Sequence, residues 1–312
     1  MRIGIIGAGI AGLACAEVLQ SKSYSVELFD KGRGPGGRLA TRTMSTSNGE
    51  VSFDYGTQYF TAADPAFLNK LNEWISEGLV APWPAAGVDA YVGTPAMSAP
   101  VSIMAAKQVV HWGTRVTDVV RRGRIWQLTF QDGRSSYVDL LICATAAEQA
   151  SPLIKSAAPR FLARLHSAPS APCLTVAIAF TEPVTVAQDV LWGHDVIWRA
   201  VRNNSKPGRR GPECWVVQAG SEWSAVHANA DGEWISSALQ RALSSLTGVP
   251  MPPVSGTKYH RWLYAHSGEE GSRTIFDPDL RLGLCGDWLI GPSVESAWIS
   301  GTALANFIVQ RH

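Results

Sequence analysis

The chain has 312 residues, of which 46% are hydrophobic and 17% are charged, a composition typical of a globular protein long enough for two domains. Its formal net charge is +1 at pH 7, so no excess of basic charge favours nucleic acid or anionic lipid as a partner. The sequence has no run of about 18 apolar residues, so it predicts no membrane-spanning helix.

The cysteines are odd in number and scattered, and most lie in apolar segments. This pattern is typical of reduced, buried thiols and predicts a cytoplasmic protein. No Cys or His spacing suits a metal ion, so we predict no metal site. The cysteines are Cys15, Cys143, Cys173, Cys214 and Cys285.

The N-terminal stretch MRIGIIGAGIAGLACAEVL fits two interpretations. Arg2, the apolar run after it and the small residues 14–16 imitate a secretory signal peptide. Gly7, Gly9 and Gly12 instead form G-x-G-x-x-G, a turn that brings a pyrophosphate to a helix N-terminus.

The surrounding pattern favours the dinucleotide turn. A β-branched run precedes the glycines, a helix is predicted over residues 13–20, and a second strand, 26–29, ends at Asp30. An acid about 20 residues beyond the turn is placed to accept a hydrogen bond from a ribose hydroxyl. A signal peptide has no reason to supply this context.

The loop KGRGPGGR follows Asp30, where a dehydrogenase would usually begin another helix. Its glycines disfavour a helix. Lys31, Arg33, Arg38 and Arg42 either add positive charge beside the pyrophosphate or form a solvated basic loop.

The middle of the chain predicts two kinds of sheet. Residues 109–145 alternate as a β-meander with turns at Gly123 and at residues 132–133. Further helices are predicted at 67–78, 98–107 and 232–246. Turn-rich loops separate four more strand-like runs, which predict a mostly antiparallel sheet; these are 173–180, 195–201, 214–220 and 257–265.

Near the end, an apolar strand over 282–285 leads into Gly286-Asp287 and then into a helix. Small and apolar residues recur along this helix at helical spacing, and Ser293 is its predicted N-cap. Glu295 in the first turn is either a ligand-binding residue or a surface acid favoured by the helix dipole.

These motifs, in this order, resemble the flavoprotein oxidase superfamily and, within it, the bacterial renalases. The superfamily pairs an N-terminal GxGxxG with a D-x-G-x-Q segment and a C-terminal strand-Gly-Asp-helix unit. The matching stretches are DKGRGPGGR (30–38), DYGTQYFTA (54–62), VGTPAMSA (92–99), NNSKPGR (203–209), HRWLYA (260–265), CGDW (285–288) and VESAWISG (294–301).

The resemblance implies an α/β fold: an FAD-binding Rossmann-like domain of the glutathione-reductase and p-hydroxybenzoate-hydroxylase type. An interleaved α+β substrate domain is expected on a mostly antiparallel sheet. The implied FAD-binding domain comprises 1–62, 108–147 and 274–312, and the substrate domain comprises 63–107 and 148–273.

The resemblance also implies non-covalent FAD, with the N-terminus of the last helix facing the flavin pyrimidine ring. No cysteine lies in residues 266–280, where monoamine oxidases carry their attachment residue. The cofactor-binding residues implied are Gly7, Gly9, Ala11, Gly12, Asp30, Lys31, Arg38, Gly56, Gln58, Tyr59, Val116, Gly286, Asp287, Val294, Glu295 and Ala297.

The activity implied is oxidation of the 2- or 6-dihydro isomers of NAD(P)H to NAD(P)+, as metabolite repair. Hydride passes to flavin N5, and dioxygen becomes hydrogen peroxide. No acid or base residue is needed, since loss of hydride makes the ring aromatic directly. The candidate substrate-binding residues are Tyr59, Asn203, His260, Trp262, Trp288 and Trp298, each with a core role as its alternative.

Other functions stay open on the sequence. An amine oxidase or desaturase shares the superfamily motifs, although no lysine is obviously placed at a flavin; the candidates are Lys107, Lys155, Lys206 and Lys258. A non-catalytic flavin-binding redox sensor would explain the lack of an acid, base or nucleophile. Arg202, Lys206, Arg209 and Arg210 either meet dinucleotide phosphates or lie in a solvated loop. The sequence indicates no oligomeric state.

Overall fold

The computed structural model describes residues 1–311, which form two compact units. Unit 1 comprises residues 1–37, 101–170 and 267–311, and unit 2 comprises 38–100 and 171–266. These bounds differ from the predicted domain ranges: residues 38–62 belong to unit 2, and the flanks 101–107, 148–170 and 267–273 belong to unit 1.

The strands are given in chain order. They are β1 (Arg2–Ile6), β2 (Ser25–Phe29), β3 (Thr41–Thr46), β4 (Gly49–Asp54), β5 (Val80–Pro82), β6 (Tyr91–Gly93), β7 (Val110–His111), β8 (Val116–Arg122), β9 (Ile125–Phe130), β10 (Ser135–Val138), β11 (Leu140–Cys143), β12 (Ala171–Phe180), β13 (Val190–Leu191), β14 (Ile197–Arg202), β15 (Cys214–Ala219), β16 (Val254–His266), β17 (Ile275–Asp277) and β18 (Leu282–Leu284).

The α-helices are α1 (Ile10–Ser21), α2 (Pro65–Ser76), α3 (Ala99–Ala106), α4 (Ala147–Ile154), α5 (Leu162–His166), α6 (Ser221–Val226), α7 (Gly232–Thr247) and α8 (Val294–Val309). Short 3₁₀ turns lie at Gly37–Leu39, Pro84–Ala86, Pro159–Phe161, Asn203–Ser205 and Asp287–Leu289. None of the helices within residues 1–311 has both the length and the apolar character to cross a membrane.

Unit 1 is built on a six-stranded sheet with the strand order β17-β18-β11-β1-β2-β7. All neighbours are parallel except β17, which runs antiparallel to β18 at the edge. The predicted meander is present as β8-β9-β10, and it leads back into this sheet through β11. The structure adds β7, which splits the first predicted meander strand and pairs with β2.

Helices α1 and α8 pack closely because small residues face each other. A Cβ added at Gly301 would overlap the carbonyl oxygen of Ala11 and would lie 3.1 Å from the Ala11 Cα. Helix α8 starts where predicted, and the Ser293 hydroxyl accepts a hydrogen bond from the Ser296 N–H at 2.9 Å. The small-residue stripe of α8 therefore serves backbone-to-backbone packing.

Unit 2 is built on a five-stranded antiparallel sheet with the order β13-β14-β15-β12-β16. Its first face packs on α7 through a core that includes Trp215, Ile235 and Leu243. Its second face packs on the β3-β4 hairpin, where Phe53 and Val51 contact β12 and β15. The hairpin thus completes the core of unit 2, which explains why residues 38–62 belong to this unit.

The cysteines are free and buried, as predicted. Burial raises the pKa of the Cys143 and Cys214 thiols to about 12 and that of Cys173 to about 11. Thiols with such pKa values stay protonated at neutral pH, so these three act as small apolar side chains and not as nucleophiles.

The contact between α1 and α8 can be tested with Gly301→Val. We expect a loss of about 3 kcal/mol or more of unfolding free energy, because the new side chain meets rigid backbone. Urea unfolding followed by circular dichroism measures this loss. Asn306→Val introduces the same side chain on the exposed face of α8 and should cost far less. Equal stability of the two variants would contradict this account of the packing.

Candidate functional site

The carboxyl ends of β1, β2, β11 and β18 meet at one edge of the parallel sheet of unit 1. Helix α1 begins after β1, and α8 begins shortly after β18. Their free N–H groups and positive partial charges therefore lie on the same side of the sheet, where ligands of such folds bind.

The three glycines of the first turn serve two different purposes. A Cβ at Gly7 would lie 2.7 Å from the Ala144 carbonyl oxygen, and one at Gly12 would overlap the Gly7 carbonyl oxygen. Gly7 also has a φ of +104°. Gly9 has a φ of −74°, and a Cβ there would meet no protein atom within 4 Å. The protein's own packing does not require glycine at position 9, so the space is available to a ligand.

Asp30 closes the turn after β2. Its carboxylate accepts hydrogen bonds from the Ala8 and Gly32 N–H groups, each at 2.7 Å. It therefore lies beside the glycine turn, as the ribose prediction requires, with lone pairs left for a further donor. Lys31 lies next to it, and partial burial together with Arg115 lowers the pKa of that lysine.

The predicted C-terminal site residues lie in the segment that leads into α8. The Gly286 N–H donates to the Ser300 hydroxyl at 3.0 Å, and the buried Asp287 carboxylate accepts from the Ser267 hydroxyl at 2.7 Å. The other predicted residues lie in the first turn of α8 or near it, namely Val294, Glu295, Ala297 and Trp298.

Two predicted residues of unit 1 belong largely to its core. Trp288 is 1% exposed and packs in the same cluster as Trp126 and Leu289. Val116, one of the implied cofactor-binding residues, is the first residue of β8 and also contributes to this cluster. Ala11 lies in the first turn of α1, under Gly301.

In unit 2, Gly56 allows two loops to touch. A Cβ at Gly56 would overlap the Arg38 carbonyl oxygen, which accepts a hydrogen bond from the Thr57 N–H at 2.8 Å. The Arg38 guanidinium donates to the Ala265 carbonyl oxygen at 3.3 Å. The backbone of Arg38 is thus held against the DYGTQ segment, and its side chain is held at the end of β16.

The Asp54 carboxylate is the centre of a fully buried ion-pair network. Its Oδ2 accepts from the Lys206 Nζ at 3.0 Å and from the Arg209 Nη2 at 2.5 Å. Its Oδ1 accepts from the Thr41 hydroxyl at 2.7 Å and from the Met97 N–H at 3.1 Å. Lys206 and Arg209 are therefore neither solvated nor placed to bind phosphate, which corrects both sequence interpretations for these two residues.

Asn203 and Gln58 also belong to this network. The Asn203 side chain accepts from the Asp54 N–H at 3.1 Å and donates to the Ser52 carbonyl oxygen at 2.8 Å. The Gln58 amide donates to the Asp54 carbonyl oxygen and accepts from Lys206. Both side chains are buried, and their hydrogen bonds position the 54–58 loop.

The charges in the network set its pKa values. Burial raises the pKa of Asp54, but Lys206 and Arg209 outweigh burial and hold it at about 2. Burial lowers the pKa of Lys206 to about 8; Asp54 opposes this shift, while Arg209 adds to it. At pH 7 the network therefore holds one anion and two cations.

An aromatic cluster lies beside the loop. The Tyr55 and Trp262 rings stack at 5.0 Å, and His260 meets both rings edge-on at 4.8 and 4.4 Å. Burial and then the nearby Arg42 lower the pKa of His260 to about 4, so its imidazole is neutral at pH 7. Two of the predicted substrate residues, His260 and Trp262, are thus brought together.

A row of polar side chains that the sequence did not predict crosses the second face of the five-stranded sheet. Arg199 pairs in register with Gln218, Gln218 with Thr175, and Thr175 with His260. We call Arg199, Gln218, Thr175 and His260 the polar row. Three of its members are buried and interrupt apolar strands, and that interruption was the available signal. Tyr59 lies over Arg199, with its ring centroid 5.0 Å from the guanidinium carbon.

Comparison with known families gives two matches. Residues 5–74 match an NAD(P)-binding Rossmann-like domain, and residues 83–309 match the flavin-containing amine oxidoreductases. The second match covers most of the chain.

Solved structures share the fold over the full length. A candidate protoporphyrinogen oxidase from Exiguobacterium sp. 255-15 has a TM-score of 0.74 at 11% identity, covering 100% of this chain and 99% of that one. Cyclohexylamine oxidase from Brevibacterium oxydans IH-35A has a TM-score of 0.71 at 15% identity, covering 99% of both chains. A putrescine oxidase triple mutant has a TM-score of 0.73 at 12% identity, covering 100% and 99%.

The space at Gly9 predicts a selective effect of Gly9→Ala. We expect normal folding, because the methyl group meets no protein atom, and a marked loss of bound flavin, because it fills the ligand space. Absorbance at the flavin bands and thermal unfolding of the same sample measure the two effects. Gly7→Ala is the control and should destabilise the fold itself. Full flavin content in Gly9→Ala would refute the assignment.

The Asp54 network predicts a large effect of Asp54→Asn. Loss of the carboxylate leaves two buried cations, which costs about 3–5 kcal/mol of unfolding free energy. Asp54→Asn combined with Lys206→Met should recover part of this loss in urea unfolding. The pKa of about 2, against 3.8 for the free side chain, adds a pH test. The contribution of Asp54 to the free energy of unfolding is present above pH 3.8 and is lost as the pH falls toward 2. The Asp54→Asn variant should lack this pH dependence.

Proposed function

The chain belongs to the flavin-containing amine oxidoreductase family and uses FAD, and from that premise we propose an activity toward reduced nicotinamide dinucleotides. The proposed enzyme oxidises the 2- or 6-dihydro isomers of NAD(P)H to NAD(P)+, with dioxygen as the final electron acceptor. The observation that carries this proposal is the buried Arg199 on the polar row. It has no carboxylate partner within residues 1–311, so it suits an electron-rich group of the substrate better than the ammonium group of an amine.

The residues of unit 1 fit FAD. The empty space at Gly9 and the N-terminus of α1 suit its pyrophosphate, and the Asp30 carboxylate suits a ribose hydroxyl. The N-terminus of α8, capped by Ser293, suits the developing negative charge on the flavin. When bound, FAD supplies the hydride acceptor and passes the electrons to dioxygen.

The residues of unit 2 orient a planar ring and need not move a proton. A dihydropyridine becomes an aromatic cation when it loses hydride, so no general base is required. Trp262, held by the Tyr55 stack and by its indole N–H bond to the Tyr55 carbonyl oxygen at 2.9 Å, fixes the position of His260 at one end of the polar row. His260, at the other end of the polar row from Arg199, is neutral at pH 7 and adds no further positive charge to unit 2.

Amine oxidation is the second candidate. It is supported by the family match and by the fold shared with cyclohexylamine and putrescine oxidases. Lys206 is the buried lysine of unit 2, but Asp54 and Gln58 already bind its ammonium group. Lys206 is therefore not free to act as the lysine that an amine oxidase would place at its flavin.

Anaerobic flavin reduction separates the two candidates. The FAD-loaded protein is mixed with purified 2-dihydro and 6-dihydro isomers of NADH and NADPH and, separately, with a panel of primary amines. We expect the flavin absorbance to bleach with at least one isomer and with none of the amines. Bleaching by amines alone would reject the proposal, and ordinary 4-dihydro NADH is the matched control for nonspecific reduction.

A further inference from the structure

Arg199 occupies a box of aromatic rings in unit 2. Its guanidinium carbon lies 4.3 Å from the centroid of the Trp198 ring, 5.0 Å from that of Tyr59 and 5.6 Å from that of Trp192. Arg199 is 7% exposed, whereas Trp192 and Trp198 are 45% and 40% exposed. We call these four residues the arginine box. It places a desolvated cation behind accessible aromatic surface.

The hydrogen-bonding partners of Arg199 are neutral. The Gln218 Oε1 accepts from its Nη2 at 2.8 Å and from its Nε at 3.2 Å. The Gln218 amide is itself fixed, since its Nε2 donates to the Gly56 carbonyl oxygen at 2.7 Å. Across residues 1–311, no carboxylate lies within ion-pair distance of Arg199.

The contrast with the neighbouring Arg202 shows that this arrangement is specific. Arg202 lies three positions later on the same strand and pairs with Asp189 at 2.8 Å and with Glu213 at 3.1 Å. A buried cation is costly unless it is paired, and most buried arginines are paired in this way. Arg199 is therefore buried without a carboxylate partner and is stabilised only by neutral groups, namely Gln218 and the aromatic rings.

The surroundings add to the positive charge. Lys206 and Arg209 share the single carboxylate of Asp54, and Arg199 is close enough to Lys206 to lower its pKa. Together these side chains are three cations and one anion. An electron-rich oxygen of a ligand would offset the excess, and a ligand cation would increase it.

We propose that the arginine box, with Gln218, binds the carbonyl or carboxylate oxygen of a planar-ring substrate and excludes ligands that carry an ammonium group in its place. A guanidinium presents five N–H donors in a planar fork, of which Gln218 uses two. Trp192 and Trp198 flank the guanidinium and can contact the edge of the ring. The identification of the ring as nicotinamide rests on the proposed function; the preference for oxygen does not.

Three pyridines that differ in one substituent test this inference: nicotinate, nicotinamide and 3-pyridylmethylamine. Each is titrated into the FAD-loaded protein at pH 7 and followed by calorimetry, which needs no turnover. We expect nicotinate to bind at least about 10-fold more tightly than the amine, with nicotinamide between them. Equal binding of nicotinate and the amine to the wild-type protein would overturn the inference.

Arg199→Met should remove this preference without unfolding the protein, because it leaves no carboxylate unpaired. Arg261→Met removes an exposed arginine from the same sheet and should keep the preference. A preference that survives in Arg199→Met would overturn the inference. If Arg199→Met does not fold, Arg199→Lys keeps the charge and loses the fork. That variant should bind nicotinamide less tightly, and unchanged nicotinamide binding would contradict the inference.

The two proposals can fail separately. An Arg199-dependent preference for nicotinate, together with no flavin reduction by any dihydro isomer, would leave the subsite standing and remove the proposed function. Rapid flavin reduction by an isomer, with the same KM in Arg199→Met as in the wild type, would support the proposed function and remove the Arg199 subsite. The ligand titrations and the anaerobic reduction therefore need to be run on the same preparations.

Discussion

The buried Asp54 carboxylate is the interaction on which unit 2 depends. It lies at the end of β4 in the first segment of the unit, and its cationic partners, Lys206 and Arg209, lie in the second. The same loop is held by Asn203 and Gln58, so the 54–58 turn is tied at its backbone as well as at its carboxylate. An ion pair with every side chain buried is stable only as a complete set, and it fixes where the Tyr55 and Tyr59 rings lie.

The buried charge of Arg199, seven positions before Lys206 in the chain, has a different environment. Asp54 compensates its partners, whereas Arg199 is buried among neutral groups and aromatic rings. Sites that bind ligands commonly carry such local costs, which the rest of the fold must offset. The polar row joins Arg199 through Gln218 and Thr175 to His260 across four strands, so rigid sheet register sets the spacing of its polar groups.

In unit 1 the backbone, and not a set of charged side chains, shapes the candidate cofactor site. Gly7, Gly12 and Gly301 let main-chain atoms approach one another, and Gly9 keeps a space free. The close α1-α8 contact and the parallel strand ends hold two helix N-termini on one side of the sheet. Fixed N–H dipoles at that edge suit an anionic cofactor, although residues 7–12 of the turn themselves carry no charged side chain.

The sequence by itself determined the dinucleotide turn, the strand-ending Asp30, the Ser293 cap, the meander and the antiparallel strands, because these depend on local spacing and hydrophobic period. Only the tertiary structure decided that Lys206, Arg209 and Asn203 hydrogen-bond to Asp54. It also decided that Trp288 lies in the core. Both results depend on contacts between residues far apart in the chain. The tertiary structure also decided which residues form the polar row. Arg199 and Gln218 lie on separate strands, and the sheet register that pairs them is not written in either strand alone.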